Sequence, residues 1–162
     1  MFIRFITTGG TIDKIYFDAM SQFEVGDSLL KHILTDGLAG FDYEILALFH
    51  KDSLELTDDD RRLLRERIEQ DEAGLVVITH GTDTMTRTAA ALKGIPGKSI
   101  VLTGALSPAR FRSTDAVFNI GMAVAAVQVV TPGVYIAMNG EVFREGEAAK
   151  NRDSNRFERI DG

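Results

Sequence analysis

The chain has 162 residues, 44% of them hydrophobic, with 24 acidic against 18 basic side chains, a formal charge of −6 and no cysteine. A chain of that size sets the expectation of one domain around one continuous core. The acidic balance argues against nucleic-acid or anionic-membrane partners, whose affinity rests on clustered Lys and Arg, and the missing thiol excludes disulfides, thiolate nucleophiles and cysteine-ligated metals.

Phe2 to Thr7 reads as a first strand, interrupted by Arg4 and lacking the basic region and apolar stretch of a signal peptide. No window approaches about twenty continuous apolar residues, so a soluble cytoplasmic protein is the expectation. The strand runs into Thr7-Thr8-Gly9-Gly10-Thr11. Asp27 to Leu38 has helical spacing, Tyr43 to Phe49 reads as a second strand, and Thr57 to Glu72 as a helix opened by Thr57-Asp58-Asp59-Asp60, the hydroxyl and early acidic charge of a helix start. The dense charges from Asp58 to Glu72 read as a solvated helix face. Leu75 to Thr79 is a third strand, running into Thr79-His80-Gly81-Thr82-Asp83-Thr84. A helix from Thr84 to Lys93, a strand from Ser99 to Thr103, a helix from Thr114 to Val130 and a strand from Val134 to Met138 complete the pattern. Ala123 to Val130 is small and apolar, which fits a buried helix or one packed on a second copy of the chain. The tail from Glu145 to Gly162 has little core character and reads as mobile or as lying across a partner.

Five strands alternating with four helices predict a doubly wound, mostly parallel five-stranded sheet with helices on both faces, in the order 2-1-3-4-5. The loops after the first and third strands then flank the switch point, where such sheets bind ligands. Those loops hold six threonines and one aspartate. Gly9 and Gly10 permit a sharp turn that exposes amides beside the Thr11 hydroxyl, as acyl transfer to a hydroxyl requires; the same residues also make an ordinary threonine-capped glycine turn. A phosphate loop is a weaker reading, since neither G-x-x-x-x-G-K-[ST] nor G-x-G-x-x-G spacing is present. Asp83 has two readings, a helix N-cap or a carboxylate for a ligand ammonium group. His80 reads first as a hydrogen-bonded structural residue and second as a base, and His32 and His50 lack metal-ligand spacing with it.

T-G-G-T-I after the first strand and H-G-T-D-T-M after the third, about seventy residues apart, resemble the two signatures of the bacterial-type L-asparaginase family. The likeness continues through Lys51-Asp52-Ser53-Leu54-Glu55-Leu56-Thr57, Thr103-Gly104-Ala105 and Asp115 to Asn119. The resemblance implies an amidohydrolase without cofactor or metal that converts L-asparagine, or L-glutamine, to the acid and ammonia through a threonine acyl-enzyme. It makes Thr11 the nucleophile, Thr82 the second threonine, and Asp83 the receptor of the substrate α-ammonium. It places the α-carboxylate on Ser53 with Asp52, and the oxyanion on backbone amides near Thr11 and Thr82, with Gly10 and Gly81 lining the pocket. It further implies a homodimer, and a short-chain member spanning 1–162 without the family's smaller C-terminal domain.

Two positions depart from the family pattern. Its lid tyrosine falls in Ser21-Gln22-Phe23-Glu24-Val25-Gly26, where Phe23 cannot transfer a proton; Tyr16 and Lys14 are the nearby substitutes. Its lysine is expected near the end of the helix from Asp115, where Ala125 to Val130 contains none and Gln128 is the nearest polar side chain. These departures support an alternative from another class, an amino-acid-binding or regulatory module that keeps the pocket but has lost turnover.

Overall fold

A computed structural model describes residues 1–17 and 22–160 of the chain. Ser21, with which the expected lid stretch begins, and the last two residues of the tail lie outside the described residues. The five expected strands are present: β1 (Phe2–Gly9), β4 (Asp42–Lys51), β5 (Leu75–Thr79), β6 (Ser99–Thr103) and β7 (Gly133–Met138). They pair in parallel in the order β4-β1-β5-β6-β7, as expected. A sixth strand, β8 (Glu141–Arg144), adds antiparallel to β7 at the edge. Its hairpin turns through Asn139 and Gly140, with φ of 56° and 86°, the paired positive values that a two-residue Asn-Gly turn supplies.

Alternation along each strand divides the core into two layers. Ile6, Val76, Ile78, Ile100, Leu102, Ile136 and Met138 face one side, where α2 (Asp58–Gln70) adds Leu64 and Ile68 and α3 (Met85–Ala91) adds Met85 and Ala89. Ile3, Phe5, Val77, Val101 and Ala137 face the other, against Leu30 and Leu34 of α1 (Leu30–Asp36) and Ile120, Ala123 and Val127 of α4 (Ala116–Val129). This is the both-face packing that buried parallel strands require. Thr57 caps α2 as read, in a reciprocal capping box with Asp60. Helix α1 is shorter than its sequence span. Helix α4 is buried on its inner face while Val117, Phe118 and Val129 stand exposed. No helix among the described residues is long and apolar enough to cross a membrane.

Two small hairpins lie outside the main sheet. β2 (Lys14–Phe17) pairs with β3 (Gln22–Val25) directly after the Thr11 loop, and β9 (Ala148–Asn151) pairs with β10 (Arg156–Arg159) in the tail. The tail therefore corrects the reading of a mobile or partner-bound segment: Ala148 and Phe157 are buried in the α2/α3 layer. Burying a phenylalanine is worth roughly 2–3 kcal/mol, enough to hold a short hairpin down. Backbone capture completes the docking, since Phe157 N donates to Asn139 Oδ1 at 2.9 Å and Asn139 N to Asn119 Oδ1 at 3.3 Å.

Candidate active site

The β1 and β5 loops meet at their glycines. Gly10 has φ of +89°, a conformation that side-chain-bearing residues rarely adopt, and a Cβ there would collide with the backbone of Gly81. Gly81 is equally confined, because a Cβ on it would lie 2.6 Å from Ser53 Cβ and 2.7 Å from Ser53 Oγ. Three backbone segments thus close on one point: the turn before Thr11, the turn before Thr82, and the 310 turn Ser53–Glu55 after β4. The Gly10 amide is not left exposed, as its N–H donates to the Lys51 carbonyl at 2.9 Å. The part this glycine plays is close approach.

Thr11 opens a 310 turn, Thr11–Asp13, and is half-buried. Thr82 is buried, and its Oγ1 accepts a hydrogen bond of 2.8 Å from Lys150 Nζ, which also lies 2.8 Å from Asp83 Oδ1. Asp83 is therefore not the helix cap of the first reading; α3 is preceded by Thr84, and the carboxylate takes a lysine ammonium instead. No lysine of α4 stands there; the ammonium beside Thr82 and Asp83 belongs to Lys150 of β9 in the tail hairpin. Gln128 takes no part: its amide donates to Val124 O within α4, whose carboxyl end leads to the start of β7, the opposite end of the sheet.

Ser53 is 1% exposed and its hydroxyl has no hydrogen-bond partner among the described residues, so a buried polar group faces Gly81 uncompensated. Asp52 caps the Ser53 turn, its Oδ1 accepting from Leu54 N at 3.2 Å, while Oδ2 lies 2.8 Å from Lys14 Nζ. Burial pushes the Asp52 carboxyl up, but hydrogen bonds from Lys14 and Leu54 outweigh it and hold the group below its ordinary value. Lys14 is thus bound in an ion pair.

Tyr16 lies directly opposite Phe23 in the β2–β3 register, ring centroids 5.4 Å apart, and Phe23 is 6.0 Å from Phe111. Opposed residues of an antiparallel pair share a face, so the Tyr16 hydroxyl is carried on the face that Phe23 presents. Both rings are about half exposed. Arg110 donates to Asp27 O at 3.2 Å and Arg112 is exposed.

His80 is structural. It is fully buried, Nδ1 lies 2.7 Å from the Gly81 carbonyl and Nε2 2.7 Å from Thr88 Oγ1. A carbonyl only accepts, which assigns the ring proton to Nδ1 and makes Thr88 the donor to Nε2. Burial pushes the imidazole down to about 4, against the Gly81 bond and with the help of the Arg61 charge, so the ring is neutral at pH 7. Asp13, two residues beyond Thr11, is 3% exposed with one carboxylate oxygen unpartnered among the described residues; burial raises its carboxyl to about 6, opposed by a hydrogen bond from Ser28 and the charges of His50 and Arg110. Among the described residues, no three His, Asp or Glu side chains gather as metal ligands.

Sequence reasoning missed Lys150, Arg61 and Asp13. Lys150 stands 68 residues from Thr82, in a hairpin whose one legible sign was the Asp153-Ser154-Asn155 turn between Ala148-Ala149-Lys150 and Arg156-Phe157. Arg61 stood among charges read as solvated, yet it is 3% exposed.

The fold and this site define a doubly wound α/β domain whose β1 and β5 loops meet at its switch point, with Thr82, Asp83 and Lys150 joined by hydrogen bonds beside the Thr11 turn. Residues 2–161 match the model of the asparaginase N-terminal domain, and the chain belongs to the asparaginase family. It is 44% identical over 81 residues to a component of the glutamyl-tRNA(Gln) amidotransferase of Methanococcus vannielii, covering 49% of this chain and 19% of that protein. A glutaminase-asparaginase of Acinetobacter glutaminasificans is 34% identical over 94 residues, 55% of this chain and 28% of the relative. The thermostable L-asparaginase of Thermococcus kodakarensis superposes with a TM-score of 0.82 at 25% identity, covering 99% of this chain and 51% of that one. The chain thus spans about half the length of that solved asparaginase.

Proposed function

We propose that the chain hydrolyses the side-chain amide of L-asparagine, with L-glutamine as a second substrate, through an acyl ester on Thr11. The observation that carries this reading is the Lys150 ammonium, 2.8 Å from both the Thr82 hydroxyl and the Asp83 carboxylate, in a loop whose Gly81 packs on Gly10 beside Thr11. Thr11 Oγ attacks the amide carbonyl carbon, its proton passes to the departing nitrogen, the C–N bond breaks and ammonia leaves. Tyr16, on the face shared with Phe23, is the hydroxyl that relays that proton. Water then attacks the ester, its proton returning to Thr11 through the Thr82 hydroxyl, which Lys150 orients as a donor-acceptor. Asp83 takes the substrate ammonium beside Lys150. The free Ser53 hydroxyl takes the α-carboxylate and thereby gains the partner it lacks. The glutaminase-asparaginase relative supports the glutamine arm.

Phe23 in place of a lid tyrosine favours the second reading, a pocket that binds the amino acid without turnover. Ammonia release from wild type and Thr11→Ala, measured beside ligand-dependent melting, separates the two. Release that needs Thr11 supports the enzyme; stabilisation by L-asparagine or L-aspartate without release supports the binding module; release by Thr11→Ala refutes the nucleophile.

A further inference from the structure

Helix α2 carries a dense run of charged residues, and one of them points inward. The Arg61 guanidinium is 3% exposed, and the carboxylate it meets, Asp58, is mostly in solvent and shared with Arg87. A buried cation without a buried counter-ion is an expensive element of a core, and its stabilising value is poor. Its contacts suggest another purpose. Nη1 donates to the Leu56 carbonyl at 3.0 Å, Nη2 to Thr84 Oγ1 at 3.1 Å and Nε to Thr88 Oγ1 at 3.0 Å. Each partner leads to a substrate segment. Thr84 Oγ1 donates onward to the Ser53 carbonyl at 2.7 Å, and Leu56 follows the Ser53 turn directly. Thr88 donates to His80, whose other nitrogen donates to the Gly81 carbonyl, the residue before Thr82.

We infer that Arg61 is a positioning residue that locks the Ser53 turn and the Gly81-Thr82-Asp83 loop into one register, so that the groups facing the two ends of the substrate are set by one buried fork. This rests on the proposed amidohydrolase reading for its effect on turnover, but the mechanical coupling stands apart from it. The planar guanidinium is suited to the task because it donates in several fixed directions from one rigid plane, which an ammonium cannot do. The two arms of the fork also differ. The Leu56 and Thr84 arm holds the Ser53 side, and the Thr88–His80 arm holds the Gly81 side, so they can be cut separately.

The test uses Arg61→Met, Arg61→Lys and Thr88→Val, with kcat and KM for ammonia release and amide hydrogen exchange over residues 53–57 and 80–84. Arg61→Met fills the same volume without a buried charge, so it melts near the wild-type temperature, while exchange rises in both segments and kcat falls about 10²-fold, the usual consequence of a displacement of about 1 Å in a reacting group. Arg61→Lys stays at least about tenfold impaired, since it regains one arm at most. Thr88→Val speeds exchange at 80–84 and leaves 53–57 protected. A wild type that releases no ammonia removes the proposed function, and the exchange data alone then decide the coupling. Unchanged protection of both segments in Arg61→Met overturns the inference, as does turnover within about threefold of wild type. If Arg61→Met does not fold, Thr88→Val decides: exchange confined to 80–84 supports the lock, and exchange spread evenly over the chain overturns it.

Discussion

Replacing Lys150 by methionine isolates its ammonium, because the methionine chain keeps most of the lysine stem and its packing while removing the charge and three donors. In the folded protein the change deletes two hydrogen bonds of 2.8 Å, to Thr82 Oγ1 and Asp83 Oδ1. The pair is partly shielded, the side chains of Lys150 and Asp83 being 15% and 33% exposed, and the carboxylate left behind can rehydrate. Its stabilising value is therefore about 1 kcal/mol, and the melting temperature falls by about 2–4 °C. Turnover responds on another scale. A positioned group that moves or holds a proton contributes about 10²- to 10⁴-fold, or about 3 to 5 kcal/mol of barrier. Saturating L-asparagine with coupled detection of ammonia, beside a melting curve on the same preparation, reads both. Turnover within about threefold of wild type in a folded Lys150→Met protein refutes the placement of Lys150 at the chemistry, and a fall of more than about 10 °C shows that the hairpin itself had come loose.

Other outcomes follow from the same geometry. Tyr16→Phe lowers kcat by about 10²-fold, and adding Phe23→Tyr to it restores turnover from the opposite strand, since the two positions share a face of the β2–β3 pair; a double variant as slow as the single one contradicts the exchange of roles. Asp13, raised to about 6 by burial, contributes its full stability below about pH 4 and loses it as pH rises through about 6, because ionisation is disfavoured in the fold. Unfolding free energies of Asp13→Asn from urea titration accordingly exceed wild type at pH 8 by up to about 3 kcal/mol and converge with it at pH 4, and parallel pH profiles would show that Asp13 is not buried as described. His80 runs the other way, its stability present above pH 6.5 and lost as pH falls through about 4, so between these values the two groups oppose one another in wild type. Gly10→Ala costs more than about 3 kcal/mol, since strain at positive φ adds to a collision with Gly81, and it yields little folded protein; a melting point near wild type would show that the two loops are not in contact.

The sheet was readable because buried parallel strands announce themselves as short β-branched runs, and the helices between them force crossovers of one hand; β5 and β6 came through at residue level, β1 and β7 within two residues, and the order around them as expected. The glycine loops were readable for a related reason, as their position after β1 and β5 follows from the topology. What failed was everything set by distant contacts. Lys150 lies in a four-residue strand paired only with its own hairpin partner, and no local pattern says that Phe157 will enter the core and carry the lysine to Thr82. Arg61 shares its helical spacing with solvated charges, and only the polar ends of the neighbouring loops make its burial possible. Asp83 read as a cap because the residues around it favour caps; the tail lysine decided otherwise. One oversight was local. Asn139-Gly140 between alternating residues is a strong hairpin signal, and it announces β8.

The central claim is that Thr11 carries the acyl group. The most direct measurement is acid quenching of the protein during turnover of L-asparagine, followed by peptide mapping of any covalent adduct by mass spectrometry. The account predicts an aspartyl ester on the peptide containing Thr11, absent from Thr11→Ala; an adduct on Thr82 or another residue, or steady ammonia release from Thr11→Ala, contradicts it.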